Sequence, residues 1–281
     1  MDKKSDAKII AEFINFQKKQ GNSEGTLKLY TQIINEFSKW LEMDGSCLDS
    51  LTRLDIQQYV NYLSSKGISA STIENKFAAI SCLAKSLGQT NILQNIRKPK
   101  FRKNYNIAPK SLERNDRNKI LREIERSKNL RNIAITYLFL YTGIRVSELV
   151  ALDRPDLISG ERSGSVLVRK GKGNIERKVP LPAEARLHLK NYLNSRDDSY
   201  KELFLSNYKK RISIRSVQRI FEKYDIHPHQ LRHTYCRELV GSGIDIVIVA
   251  ELAGHSDINT TRRYSKPSVI ELEDAIEKAF H

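Results

Sequence analysis

The sequence predicts a mostly α-helical chain with a small β-hairpin or sheet, an α+β fold in two domains. Three observations carry this. Apolar residues recur at three- and four-residue spacing along most of the chain, the period of an amphipathic helix. One short stretch, Ser165–Lys170 and Ile175–Leu181 around Gly171-Lys172-Gly173-Asn174, has the alternation and turn of a hairpin. The length of 281 residues is that of two domains at about 150 residues each, long enough for each to bury its own core.

The first third reads as four helices. Ile9, Ile10, Phe13 and Ile14 share one face until Gly21. Leu27, Tyr30, Ile33, Ile34, Phe37, Trp40 and Leu41 make a longer stripe ended by Asp44-Gly45. Ile56, Tyr59, Val60 and Leu63 form a third, closed by Gly67. Ser71-Thr72-Ile73-Glu74 has capping-box spacing ahead of Phe77, Ile80, Leu83, Ala84 and Leu87, with Gly88 beyond the end. These helices make a small bundle over residues 1–94, whose aromatics are read as core. Residues 95–110 then break all periodicity. From Arg97 to Lys110 there are six basic side chains and no acidic one, and Pro99 and Pro109 block a helix, so the domain linker is placed here.

Residues 111–281 read as the second domain. Helical patterns cover 111–127, 129–141 and Val146–Leu152, the hairpin follows, and further helices lie near 183–194, 213–224, 229–241, 244–252, 259–264 and 268–280.

Composition excludes whole classes of protein. A hydrophobic share of 40% with 29% charged residues is not that of a disordered chain. No run approaches the roughly 18 apolar residues of a membrane span, Ile133–Tyr141 being far too short. Met1-Asp2-Lys3-Lys4-Ser5 lacks the apolar stretch of a signal peptide, and Cys47, Cys82 and Cys236 lie far apart. Reduced thiols in the cytoplasm are expected. The net charge of +15 favours a polyanionic partner. That charge is uneven: residues 95–131 carry 13 basic and 4 acidic side chains, whereas residues 1–94 carry 11 and 10. The central segment is either a solvated basic tether or a strap that tracks phosphates, and charge alone does not choose.

Four motifs carry chemistry. In Thr142-Gly143-Ile144-Arg145-Val146-Ser147-Glu148-Leu149, Gly143 can end one helix with positive φ, and Arg145 and Glu148 then share a face of the next, where the carboxylate can brace the guanidinium. Gly171-Lys172-Gly173 lacks the Ser/Thr of a nucleotide-binding P-loop, but puts a lysine at a hairpin tip, where it can deliver a proton. In His227-Pro228-His229-Gln230-Leu231-Arg232-His233-Thr234-Tyr235, Pro228 suits a helix start and His229 and Arg232 share a face. Histidine shuttles protons near neutral pH and arginine forks onto phosphate oxygens. The histidines with Cys236 also suggest zinc, but neither a CxxC pair nor HExxH spacing is present. The last motif runs from Leu252-Ala253-Gly254-His255-Ser256 to Arg263-Tyr264.

In this order and spacing the four motifs resemble the catalytic domain of tyrosine recombinases, the Xer-type and phage-integrase-like members above all. The resemblance covers most of the chain. It implies a SAM-like helical core-binding domain, a basic linker and a catalytic domain, acting on double-stranded DNA with neither metal nor ATP. It also implies the roles. Tyr264 attacks the scissile phosphate to make a 3′-phosphotyrosyl link, and His229 is the natural candidate to take its proton, a phenol with pKa near 10 being a weak nucleophile at pH 7. Arg145, Arg232 and His255 stabilise the pentacoordinate phosphorus, Lys172 protonates the leaving 5′-oxygen, and Glu148 supports them. Family habit further implies a cyclic tetramer on two DNA sites, with helix 268–280 docked on a neighbouring protomer, although its stripe of Val269, Leu272, Ile276, Ala279 and Phe280 can also pack on its own domain. Chromosome-dimer resolution, element integration and plasmid resolution all fit. A DNA-binding protein that no longer cuts would share the basic linker, but the intact Tyr264 argues against it. A type IB topoisomerase would share the catalytic logic, and the hairpin motif and compact length argue against that.

If Arg97, Lys98, Lys100, Arg102 and Lys103 track phosphates, neutralising all five weakens binding to any duplex and flattens its salt dependence. Each contact contributes a slope of about −0.9 in log K against log salt, so the slope falls by at most about 4.5. Fluorescence anisotropy titrations over a salt series check this, and an unchanged slope would mark the segment as a solvated tether.

Overall fold

The computed structural model describes residues 5–100, 110–160, 162–169, 176–255, 257–264, 273, 276, 277 and 280. The chain divides into two compact units, Met1–Lys103 and Asn104–His281. The first is a bundle of α1 (Asp6–Lys19), α2 (Glu24–Met43), α3 (Arg53–Ser65) and α4 (Ala70–Ser86), with single 3-10 turns at Leu48–Ser50 and Thr90–Leu93. The starts of α2 and α3 are set by side chains that accept otherwise unpaired amide hydrogens: Ser23 accepts from the Thr26 N–H, and Thr52 and Asp55 cap each other reciprocally. The start of α4 corrects the sequence reading. Ser69, not Ser71, is the cap, accepting from the Thr72 N–H with the same three-residue offset two residues earlier. Glu74, freed from a capping role, pairs with Lys98 at 2.8 Å. Phe13, Ile34, Phe37, Leu41, Ile56, Tyr59 and Leu83 fill the core, and Trp40 packs on Tyr59 at 5.2 Å between ring centres, so most of the aromatics of this unit are packing groups.

The basic segment begins pinned to this bundle. The Gln57 side chain bonds both the N–H and the C=O of Arg97, at 2.7 and 3.0 Å, and the Lys98 ammonium lies 4.2 Å from the centre of the Phe77 ring. Lys98 therefore already has a counter-charge, whereas Lys100 is exposed. Arg102 and Lys103 lie outside the described residues.

In the second unit α5 (Arg114–Arg126) leads into α6 (Leu130–Thr142), α7 (Val146–Ala151), the strands β1 (Leu157–Ser159), β2 (Gly164–Val168) and β3 (Arg177–Pro180), then α8 (Ala183–Asn194), α9 (Ile214–Glu222), α10 (Pro228–Gly241), α11 (Ile246–Ala253) and α12 (Asn259–Arg262). α6 is buried nearly all round, from Ile133 to Leu140, and packs against α8 and α10. This is what an apolar helix without a polar face must do. Phe139 meets Phe221 edge to face at 5.9 Å, and Tyr192 stacks on Phe204 at 5.5 Å. The sheet is antiparallel in the order β1-β2-β3, with Val166 opposite both Leu157 and Val179. The sequence reading had the β2–β3 hairpin without β1, which at three residues is too short to show alternation. Gly171–Asn174, with Lys172, lies outside the described residues, as does most of 268–280; of that helix Glu273, Ile276, Glu277 and Phe280 are described, all helical, with Ile276 and Phe280 exposed. Among the described residues no helix is long and apolar enough to cross a membrane.

Gly143 joins α6 to the rest of the unit in a way no other residue can. Its φ is +58°, and a Cβ there would stand 2.3 Å from Cδ1 of the Tyr235 ring on α10. Gly143→Ala is therefore expected to add left-handed strain to overpacking, about 2–4 kcal/mol in all. That corresponds to a fall of about 5–15 °C in the unfolding midpoint of this unit, read by scanning calorimetry of the full chain. An unchanged midpoint would mean that the Tyr235 ring moves aside freely.

Candidate active site

Glu148 organises the site. It is the third residue of α7, and its side chain is 2% exposed. One carboxylate oxygen accepts the Arg145 backbone N–H at 2.8 Å, and the other accepts the Arg145 guanidinium at 2.7 Å. Arg177, arriving from β3, donates to both oxygens at 3.0 and 2.7 Å. Burial alone would raise the pKa of this carboxyl, but the hydrogen bonds from Arg177 and from the Arg145 backbone hold it below the usual carboxylate value. Arg145 then reaches on to the Gly254 carbonyl at 2.7 Å, and Arg177 to the Leu252 carbonyl at 3.3 Å. The guanidinium of Arg177 fills the space beside Gly254, whose φ is +65° and whose missing Cβ would lie 2.8 Å from it. One carboxylate thus ties the start of α7, the strand leaving the hairpin and the end of α11 to each other.

The third contributor is α10. Pro228 sits at its first turn, and the Gln230 side chain caps it by accepting the His227 N–H at 2.8 Å. Arg232, 5% exposed, donates one NH2 group to the Gly143 carbonyl. Its other terminal nitrogen is buried with no partner among the described residues. Burial first, and Arg145 next, push the Arg232 pKa down to about 10. The same two causes act on the imidazoles. Burial, then Arg232 and Arg145, lower the pKa of His229 and push that of His255 down to about 3. Both rings are neutral at pH 7. His255 Nδ1 is bonded to Thr261 Oγ1 of α12 at 2.7 Å.

Tyr264 follows α12 and packs against Cys236, Val249 and Ala253. Its hydroxyl is hydrogen-bonded to Nδ1 of His233 on α10, with the ring centres 5.8 Å apart. Burial raises the pKa of this phenol well above its ordinary value.

The chain therefore gathers Arg145, Glu148, His229, Arg232, His255 and Tyr264 from four separate stretches of sequence into one electrostatically coupled cluster. Lys172 falls outside the described residues. Arg177 and His233 are two side chains of this cluster that the sequence reading left without a role. Their signals were present: Arg177 shares the inward face of β3 with Val179, and His233 lies four residues after His229, on the same face of α10. In chemical terms the cluster offers two guanidiniums, neutral imidazoles and a phenol. Such a set binds a tetrahedral oxyanion and places an oxygen nucleophile beside it.

Residues 110–269 match the phage integrase family, and residues 8–92 match the SAM-like N-terminal domain of phage integrases. The chain is 32% identical to the tyrosine recombinase XerA of Pyrococcus furiosus, over 97% of this chain and 94% of that protein. It is also 32% identical to the TnP I resolvase of Bacillus thuringiensis, over 96% of this chain and 99% of that protein. Its fold matches the crystal structure of the XerH site-specific recombinase bound to its difH substrate, with a TM-score of 0.72 at 20% identity over 97% of this chain and 84% of that one.

Glu148→Gln should be costly at neutral pH, since removing one partner of a buried ion pair costs about 3–5 kcal/mol. Because the folded pKa of Glu148 is depressed, its contribution is complete above its ordinary value of 4.5 and is lost as pH falls through the folded value. The gap between wild type and Glu148→Gln in urea midpoint should accordingly shrink as pH drops below 4.5. A gap of equal size at pH 7 and pH 3 would show that packing, not charge, sets the cost.

Proposed function

The chain belongs to the phage integrase family of tyrosine recombinases, and from that premise we propose that it is a site-specific recombinase, cutting and rejoining duplex DNA through a covalent 3′-phosphotyrosyl intermediate. The observation that carries the proposal is the buried, unpaired NH2 of Arg232. A buried donor without an acceptor costs about 1–3 kcal/mol, and a charged one more, so the fold keeps it for an anion that arrives with the substrate. The scissile phosphate supplies that acceptor.

Arg145 and Arg232 hold the two non-bridging oxygens, and as charge builds on the pentacoordinate phosphorus each such donor contributes about 2.7–4 kcal/mol. His229 and His255, neutral at pH 7, add N–H donors without adding charge. The Tyr264 oxygen forms a bond to phosphorus as the bond to the 5′-oxygen breaks, and Lys172 protonates the departing oxygen. The 5′-hydroxyl of a partner strand then attacks the phosphotyrosine, so the bond energy is conserved and no nucleotide is consumed. Glu148 and Arg177 stay outside the reaction and hold Arg145 in place. The basic segment at Arg97, Lys98, Lys100, Arg102 and Lys103 tracks the backbone of the bound duplex.

The working unit is a tetramer closed on two DNA sites through the C-terminal helix. Two exposed apolar surfaces support this: Ile276 and Phe280 on that helix, and Val247 and Ile248 on α11. We place the protein in the cytoplasm, in keeping with its three free cysteines.

The test is a nicked duplex pool with randomised arms, in which loss of a short fragment traps the covalent complex. Wild type forms a denaturation-resistant adduct whose sequenced junctions define the site, and Tyr264→Phe forms none while binding the selected duplex with affinity within about twofold, since one oxygen is all that is lost. An adduct from Tyr264→Phe, or none from wild type, overturns the assignment. Tyr235 is no substitute nucleophile: its ring is buried against Gly143.

A further inference from the structure

Accepting Tyr264 as the nucleophile, as proposed above, we infer that His233, and not His229, is the catalytic base that takes the phenolic proton in the cleavage step. The inference rests on a contact. The Tyr264 hydroxyl is bonded directly to Nδ1 of His233, and the two rings face each other at 41° with centres 5.8 Å apart. His229 lies one turn earlier on the same face of α10, within the cluster around Arg145 and Arg232. The two histidines divide the work: His229 serves the phosphate and His233 serves the attacking oxygen.

The direction of that hydrogen bond follows from the charge states of its partners. Burial, reinforced by His229, Arg232 and Arg263, brings the His233 pKa down to about 4, so the imidazole is neutral at pH 7. The phenol is protonated, its pKa being raised by burial and by Cys236. A protonated phenol beside a neutral imidazole donates, so Nδ1 holds the lone pair and Nε2 the hydrogen. His233 is thereby set in the one tautomer that can receive the proton.

The surroundings also explain why the base stays idle without DNA. The charged and titratable groups around this pair come from every element packed on it: His229, Arg232 and Cys236 from α10, His255 from the loop after α11, and Arg263 at the end of α12. None of them is anionic at pH 7, so among the described residues around this pair a protonated His233 meets no counter-charge. A phosphate in the site supplies one, and an anion near an imidazole raises its basicity. Proton acceptance is therefore coupled to substrate binding. In the cleavage step the Oη–H bond breaks toward Nδ1 as the Oη–P bond forms and the P–O5′ bond breaks, the leaving oxygen taking its proton from Lys172. In rejoining, the imidazolium returns its proton to Oη as the phenol departs.

The experiment uses the full chain and the duplex selected by wild type. Single-turnover adduct formation is measured from pH 6.5 to 9 for wild type, His233→Leu, His233→Asn and His229→Asn, with affinity for the same duplex measured in parallel. Loss of a general base costs about 10²–10⁴-fold. Both His233 variants are expected to be slower by that order at pH 7 with unchanged affinity. Their deficit should shrink about tenfold per pH unit, because phenolate formed by hydroxide then bypasses the missing base. His233→Asn keeps a hydrogen-bond acceptor but cannot take a proton, so it should not rescue. A wild-type rate from His233→Asn, a deficit constant with pH, or the pH-dependent deficit appearing in His229→Asn instead, overturns the inference while leaving the recombinase reading intact. Absence of any adduct from wild type overturns that reading, and this inference with it.

Discussion

The arrangement depends on one buried carboxylate serving two guanidiniums. Glu148 cannot be ionised in the interior unless it is paired, and Arg145 cannot be held still unless something anchors it. By taking Arg145 and Arg177 together, Glu148 meets both needs and joins three stretches of chain that are otherwise remote: residues 145–148, residue 177 and, through the carbonyls of Leu252 and Gly254, the turn that leads to His255. Glycine is needed at 254 because the Arg177 guanidinium occupies the space of a Cβ. Gly143 plays the same part on the other side, admitting the Tyr235 ring and offering its carbonyl to Arg232. The two arginines of the site are thus each hung from the carbonyl of a left-handed glycine.

How much of this was legible in the sequence depends on how local each cause is. The helices were legible because their signals lie within a few residues. The stripes, Gly88 and Gly143 past the ends, and Pro228 at a first turn are where sequence spacing places them. The start of α4 was misread because Ser69 and Ser71 both sit three residues before a usable partner, and only the packing of Ile73 and Phe77 fixes which turn comes first. β1 was missed because three residues have no period. The pairing of Arg145 with Glu148 was legible as a three-residue spacing on one helix. The second partner of Glu148 was not, since Arg177 lies 29 residues away and is brought in by the sheet. His233 was hidden differently: it was in plain view beside His229 and Arg232, but its partner Tyr264 is 31 residues further on.

The electrostatics of the site differ in kind from the rest of the second unit. Elsewhere arginines are met by carboxylates, Arg196 and Arg154 by Asp198, Arg211 by Asp153 and Arg117 by Glu238. At the site the nearby imidazoles are kept neutral, and among the described residues Arg232 retains a buried nitrogen with no acceptor. Such an arrangement costs stability in the free protein and, under the proposed function, is offset when a phosphate arrives, which is the form of energy storage expected where binding must strengthen in the transition state.

That imbalance also gives an order to the reaction. In the absence of a phosphate, the cations near His233 disfavour a second positive charge, and the phenol keeps its proton because its desolvation outweighs the pull of Arg232 and Arg263. Both tendencies hold Tyr264 as a neutral hydroxyl. A bound phosphodiester changes the balance for the imidazole, whose charged form it stabilises, while the arginines are drawn onto its oxygens. In the proposed reaction, the group that accepts the proton and the groups that stabilise the phosphorane are then switched on by one event. A nucleophile that is inert until its target is seated does not react with water or with stray electrophiles. For an enzyme that cuts and rejoins DNA, that ordering matters as much as the rate.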